Sequence, residues 1–435
     1  MPRRAERRAS DRASAALDSK PGPSNRYLQA LVAVTILLLS AWWAGQSLLL
    51  RASDGRCFFL LRFLFWMLLD GAFSENCAAA LLLPARYIAR RIPGASHTMP
   101  APHEEAALAE QEAQKHDTTL EWPPSDAKLP VEWKQMTQQQ RKASSQPFFL
   151  NHVRGHVRCR QAGLRLGAAA GTVAQMASLA ILLDHRNFAD AFLLRGASMH
   201  DLAFGLLTGT ACVVAIFVTE LKRRWIVVIG VLEVAATGEW ISLNLLCDAI
   251  FHVGVAINEE LSLRGWLLYN MSAWFVVQWE FSVLSATIIA IGAQSLLFAA
   301  AHAASPGASA VGLFNLTVGG VAGALNVVLT GNLVFALGWH FSWNMMMGHV
   351  LGLSTSGIPM SAKIVSIVPH PAKAALHGGR FGPEQSPLAP LAYALGVVML
   401  AAFYGTSGMD EWEQKLKGDG LLQAAVQPVL PATHT

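Results

Sequence analysis

The chain has 435 residues, 53% of them hydrophobic and only 14% charged, against about 25% charged in an average soluble domain. Together with a positive mean hydropathy and several apolar runs of 18 or more residues, this excludes an ordinary soluble enzyme and indicates a polytopic membrane protein. The formal net charge of +4 is small, and its basic excess lies at the N-terminus and beside apolar runs, a distribution that sets membrane orientation and argues against nucleic-acid binding.

Residues 1–26 are polar and rich in arginine (Arg3, Arg4, Arg7, Arg8, Arg12) and read as a disordered cytoplasmic tail. Glu6, Asp11 and Asp18 disfavour a transit peptide. Residues 27–92 hold the N-terminal spans. The run 28–50 is long enough to cross a bilayer as an uncleaved anchor. The run 57–83, interrupted by Arg62, Asp70 and Glu75, reads either as one tilted span or as a re-entrant hairpin. Arg86, Arg90 and Arg91 favour a cytoplasmic exit behind it. Residues 93–160 lack apolar periodicity and form a polar, flexible insertion.

Residues 161–201 add a span (about 164–183) and a loop. Spans then follow at 202–221, 225–247, a long region 241–279 that must bend, 281–302, 308–329, 333–353 and 389–406. A short polar tail, 407–435, closes the chain. The expected fold is all-α, a transmembrane bundle of about eight to ten spans with a largely disordered cytoplasmic insertion. The expected location is the plasma membrane, with the N-terminus in the cytoplasm. Five cysteines without CxxC or CxxH spacing offer no cysteine-ligated metal.

Inside the apolar region, ionisable groups are few. Glu259, Glu260 and Arg264 come first, then His302, then His340, with Asn344 one turn beyond it and His349 further on. A charge at the bilayer centre costs about 2.5–3.5 kcal/mol on insertion scales and usually marks function. The bland alternative is an ion pair locking two helices. A helix from Glu259 to a turn near Glu280 rises about 31 Å, and the return from Phe281 to His302 descends as far. An antiparallel hairpin therefore sets Glu259 and His302 at one depth. His340 and Asn344, four apart, share a helix face, as do Glu260 and Arg264. Glu260–Arg264 reads as a structural pair that leaves Glu259 free, and Phe298 as packing on the His302 ring. His252 reads more readily as a satisfied core histidine than as a ligand. Glu233, Glu239 and Asp248 read as facing a crevice or a loop. Trp266, Trp274 and Trp279 suit interfacial anchoring.

These residues resemble the CPBP intramembrane protease family, also called CAAX protease, bacteriocin-processing or abortive infection (ABI) proteins. The family pattern EExxxR, FxxxH, HxxxN appears in order as Glu259-Glu260-Leu-Ser-Leu-Arg264, Phe298-Ala-Ala-Ala-His302 and His340-Phe-Ser-Trp-Asn344, within residues 202–406. Gly348-His349 to Gly357, and Gly378 to Glu384, are similar to further family segments. Leu263 stands where the family has Phe, and Pro306 where some members carry Asn, a contact left to Ser305 or Asn315.

The resemblance implies peptide hydrolysis, with Glu259 and His302 activating water and His340 and Asn344 stabilising the oxyanion. It implies a membrane-associated peptide or protein as substrate, with CAAX-type processing belonging to one branch of the family. Glu259, Glu260, His302 and His340 also offer O and N ligands to Zn²⁺, and the family is often labelled metalloprotease. No HExxH occurs, and a metal-free glutamate mechanism fits the same residues. A non-catalytic scaffold or immunity protein of the same fold is the main competing reading. A proton-coupled transporter is another, weakened by the lack of an internal repeat.

Overall fold

The computed structural model describes residues 155–178, 188–194, 196–231, 241–358 and 363–418. The expected spans at 28–50 and 57–83, most of the 93–160 insertion, and Glu233 and Glu239 lie outside them. The described part is mostly helical, with one two-stranded antiparallel sheet.

Three helices among the described residues are long and apolar enough to cross a membrane. They are α2 (Met199–Lys222), α5 (Val283–Ala301) and α6 (Ala310–Thr330). A fourth span results if α8 (Leu388–Tyr404) and α9 (Ser407–Gly418), bent by 87° at their junction, count as one. The other helices of ten residues or more are α1 (Gly155–Ser178), α3 (Ile241–Glu260), α4 (Tyr269–Gln278) and α7 (Val334–Met345). Leu261–Leu268, between α3 and α4, and Met346–Val350, after α7, are π-helical. The run 241–279 is thus one helix with a π stretch inside it, and α7 is too short to span alone.

Small residues set the helix spacing, as is usual where no hydrophobic drive separates helix from lipid. A methyl group added at Gly205 of α2 would sit 2.3 Å from the Phe335 carbonyl oxygen of α7, and one at Gly338 of α7 would sit 2.6 Å from the Leu202 carbonyl oxygen of α2. The two backbones therefore touch, and Cys212, Val213, Phe335, Trp339 and Trp343 fill the core around them. Gly320 brings α6 against Ser295 of α5 in the same way. Ser198, Ser282 and Ser309 cap the first turns of α2, α5 and α6 with their hydroxyls.

One sequence expectation needs correction, and two segments that read as polar carry helix. Residues 226–231 are not the start of a span: strand β1 (Ile226–Val231) pairs with β2 (Val365–Pro369), with an irregularity between Val228 and Gly230. A short, continuous apolar run does not by its periodicity distinguish strand from helix. The polar segment from 407 begins with the packed helix α9. In α9, Trp412 and Leu416 are buried, the Trp412 indole N–H donates to Thr287 of α5, and the Tyr269 hydroxyl donates to the Lys415 carbonyl. Helix α1 begins at Gly155, within the last residues of the polar insertion.

Candidate active site

The site begins where α3 gives way to the π segment. Glu260 is the last α-helical residue and Arg264 lies inside the wider turn; π turns inside helices are rare and concentrate at functional sites. Arg264 Nη1 donates to Glu260 Oε1 at 3.1 Å, and both side chains are buried. The guanidinium is packed on two further sides. Its carbon lies 4.6 Å from the centre of the Phe298 ring on α5, a cation–π contact. On α6, Gly323 leaves room for it, since a methyl group there would meet Arg264 Nη2 at 2.8 Å. One buried arginine therefore gathers α3, α5 and α6.

Glu260 Oε1 also accepts a hydrogen bond of 2.7 Å from His340 Nδ1 on α7. An acceptor carboxylate places the proton on Nδ1 and orients the ring. It leaves Nε2 facing Glu259, whose Oε2 is 3.7 Å away. Glu259 is the more exposed of the two carboxylates, with 25% of its side chain accessible against 4% for Glu260. Two neighbours in sequence thus have different surroundings: one is buried and doubly engaged, the other borders open space. Asn344 lies one turn beyond His340, is nearly buried, and has no hydrogen-bond partner among the described residues.

His302 is the C-cap of α5, in the bridge region of backbone space (φ −94°, ψ 0°). Its Nδ1 lies 2.9 Å from the Phe298 carbonyl oxygen. A carbonyl only accepts, so Nδ1 carries the proton and the neutral ring keeps a lone pair on Nε2. Phe298 lies with its ring centre 4.8 Å from that of His302. The same ring therefore bridges His302 and Arg264.

The loop after His302 is fixed by the two glycine-containing segments that follow β1's partner region and α7. Gly357 (φ +75°) packs where a side chain would strike the Pro306 carbonyl, 2.0 Å from an added methyl group. Its N–H donates to the Phe381 carbonyl. Glu384 accepts from the Ser356 N–H and hydroxyl, both at 2.7 Å. Asn315 donates to the Glu384 and Ser386 carbonyls, so its amide serves this turn and does not replace the asparagine absent at Pro306.

The four candidate metal ligands do not form a cage. Among the described residues no group of three or more His, Cys, Asp or Glu side chains is placed to hold an ion, and Glu260 Oε1 is shared between Arg264 and His340. The donor set does not fit a structural or catalytic zinc site, which needs three or four converging ligands.

Sequence reasoning missed a second polar cluster. His252 Nε2 and His349 Nε2 are 3.1 Å apart, and His349 Nδ1 lies 3.3 Å from Asp248 Oδ2, all three side chains being buried. Asp248 therefore faces the interior and not a crevice. Trp266 is likewise buried, while Trp279 at the turn is exposed and fits the interfacial reading.

Residues 240–346 match the family model described as Type II CAAX prenyl endopeptidase Rce1-like, a protease family and the one that the three motifs resemble. The matched stretch contains all three motifs. Comparisons with curated proteins and with solved structures gave no match. The apolar helices and this family match identify a membrane protein.

Proposed function

We propose that this chain, whose residues 240–346 match the type II CAAX prenyl endopeptidase family model, is an intramembrane endopeptidase acting on a membrane-associated protein or peptide. The observation that supports this most is His340 lying between Glu259 and Glu260, bonded to the second and 3.7 Å from the first. That separation is beyond a direct hydrogen bond and within the span of one bridging water. A carboxylate reserved in this way, beside an oriented imidazole, suits general-base catalysis.

In this reading Glu259, assisted by the Nε2 lone pair of His302, takes a proton from water, and the resulting hydroxide adds to the scissile carbonyl carbon. The tetrahedral oxyanion accepts hydrogen bonds from the Asn344 amide and from His340 Nε2–H in its protonated ring. The proton held by Glu259 passes to the leaving amine nitrogen as the C–N bond breaks. Glu260 and Arg264 are orienting residues: Glu260 sets the His340 ring, and Arg264 with Phe298 fixes Glu260 and the end of α5. No step runs through a metal, because the ligands do not converge. Cleavage by the purified protein is therefore expected to survive exhaustive chelation, and loss of activity restored by added Zn²⁺ overturns this part.

The substrate proposed is a protein tail at the membrane surface, with a prenylated CAAX tail as the class that the family description suggests. The proposed setting is the plasma membrane with a cytoplasmic N-terminus. The test is quantitative terminal-peptide profiling of membranes carrying wild type or Glu259→Gln at equal abundance. New termini that depend on Glu259 are the expected result. Identical profiles favour the non-catalytic scaffold.

A further inference from the structure

The antiparallel seam between α3 and α7 carries two polar rungs. Glu260 pairs with His340 at one, and Asp248 and His252 with His349 at the other. The position numbers of the partners sum to nearly the same value in both rungs, as an antiparallel register requires. Eight residues separate Glu260 from His252 along α3, so the rungs stand about 12 Å apart.

The second rung depends on helix geometry. His252 and Glu259 are seven residues apart, close to two full turns, and share a face of α3. His340 and His349 are nine apart, two and a half turns of α-helix, which would put them on opposite faces. His349 reaches the seam because Met346–Val350 is π-helical and its wider turn rotates the side chain back. Asp248 then accepts from His349 Nδ1–H, which leaves His349 Nε2 to accept from His252 Nε2–H across 3.1 Å. The two rings meet edge to face.

We propose that Asp248, His349 and His252 are positioning residues for the peptide hydrolysis proposed above, locking the register of α3 against α7 so that Glu259, His340 and Asn344 keep their spacing. The inference rests on that functional reading for its kinetic arm and on geometry alone for its structural arm. A slip of the seam by a fraction of a turn would displace His340 from Glu260 while leaving the substrate-facing surface in place. A misplacement of about 1 Å at a reacting centre lowers rates about 10²-fold.

The kinetic arm compares His349→Leu, which removes both hydrogen bonds at similar size, with His349→Gln, whose amide donates and accepts. His349→Leu is expected to lower kcat about 10²-fold with KM within about twofold of wild type, and His349→Gln to recover most of the loss. An unchanged kcat, or a change confined to KM, overturns the proposal. The structural arm is a double-mutant cycle of Asp248→Ala and His349→Leu followed by thermal unfolding in detergent. Non-additive shifts are expected, and additive shifts overturn the lock. Wild-type protein that cleaves nothing refutes the protease reading, and the cycle then decides the lock by itself.

Discussion

Glu259→Ala is expected to lower cleavage by about 10²–10⁴-fold, the range for losing a general base, while changing stability by no more than about 0.5 kcal/mol. Glu260→Ala, one residue away, is expected to destabilise the protein by about 3–5 kcal/mol, the cost of breaking a buried pair from one side. The contrast follows from surroundings. Glu259 has a quarter of its side chain accessible and no hydrogen bond among the described residues. Glu260 is buried and holds both Arg264 and His340. Without it, the Arg264 guanidinium keeps its charge, its contact with Phe298 and its niche at Gly323, but has no anion. Chemical unfolding in a defined detergent, alongside cleavage of a reporter substrate, separates the two effects. Equal destabilisation by both variants, or full activity of Glu259→Ala, removes this division of labour.

How far the sequence foretold this arrangement depends on which helical period each residue obeys. The Glu260–Arg264 pair was legible because four residues span about one turn and the helix continues through the π segment without a break. The turn itself was legible because a polar stretch near Glu280 interrupts the apolar sequence midway between Glu259 and His302. In the structure Glu280 adopts a positive φ at that turn and His302 ends the returning helix. The engagement of Glu260 by His340 was not legible, since nothing local says which of two adjacent carboxylates faces α7. The Asp248–His252–His349 cluster was hidden for a different reason: counting at 3.6 residues per turn puts His349 on the wrong face, and only the π turn corrects it. The β1–β2 pairing joins segments more than 130 residues apart and left no local trace beyond β-branched residues in Ile226–Val231. Trp412 carried a signal that was overlooked, a large aromatic inside a polar segment, whose indole N–H finds its acceptor on Thr287.

Asn344→Leu is expected to lower kcat by about 10²–10³-fold, the range for removing one oxyanion donor, while leaving the thermal unfolding midpoint nearly unchanged. Both expectations come from one fact. Asn344 is nearly buried beside the core residue Trp343, and its amide meets no partner among the described residues. The amide is not among the buried polar atoms cut off from solvent, so an apolar side chain of similar size gives up no internal hydrogen bond and leaves the fold about as stable. A residue whose loss disables the protein without unfolding it is one kept for what it binds in the transition state. His340→Leu provides the control, because His340 is bonded to Glu260 and its removal should damage stability as well as rate. If Asn344→Leu lowers stability and leaves kcat unchanged, Asn344 is a packing residue and the oxyanion must be held by other groups.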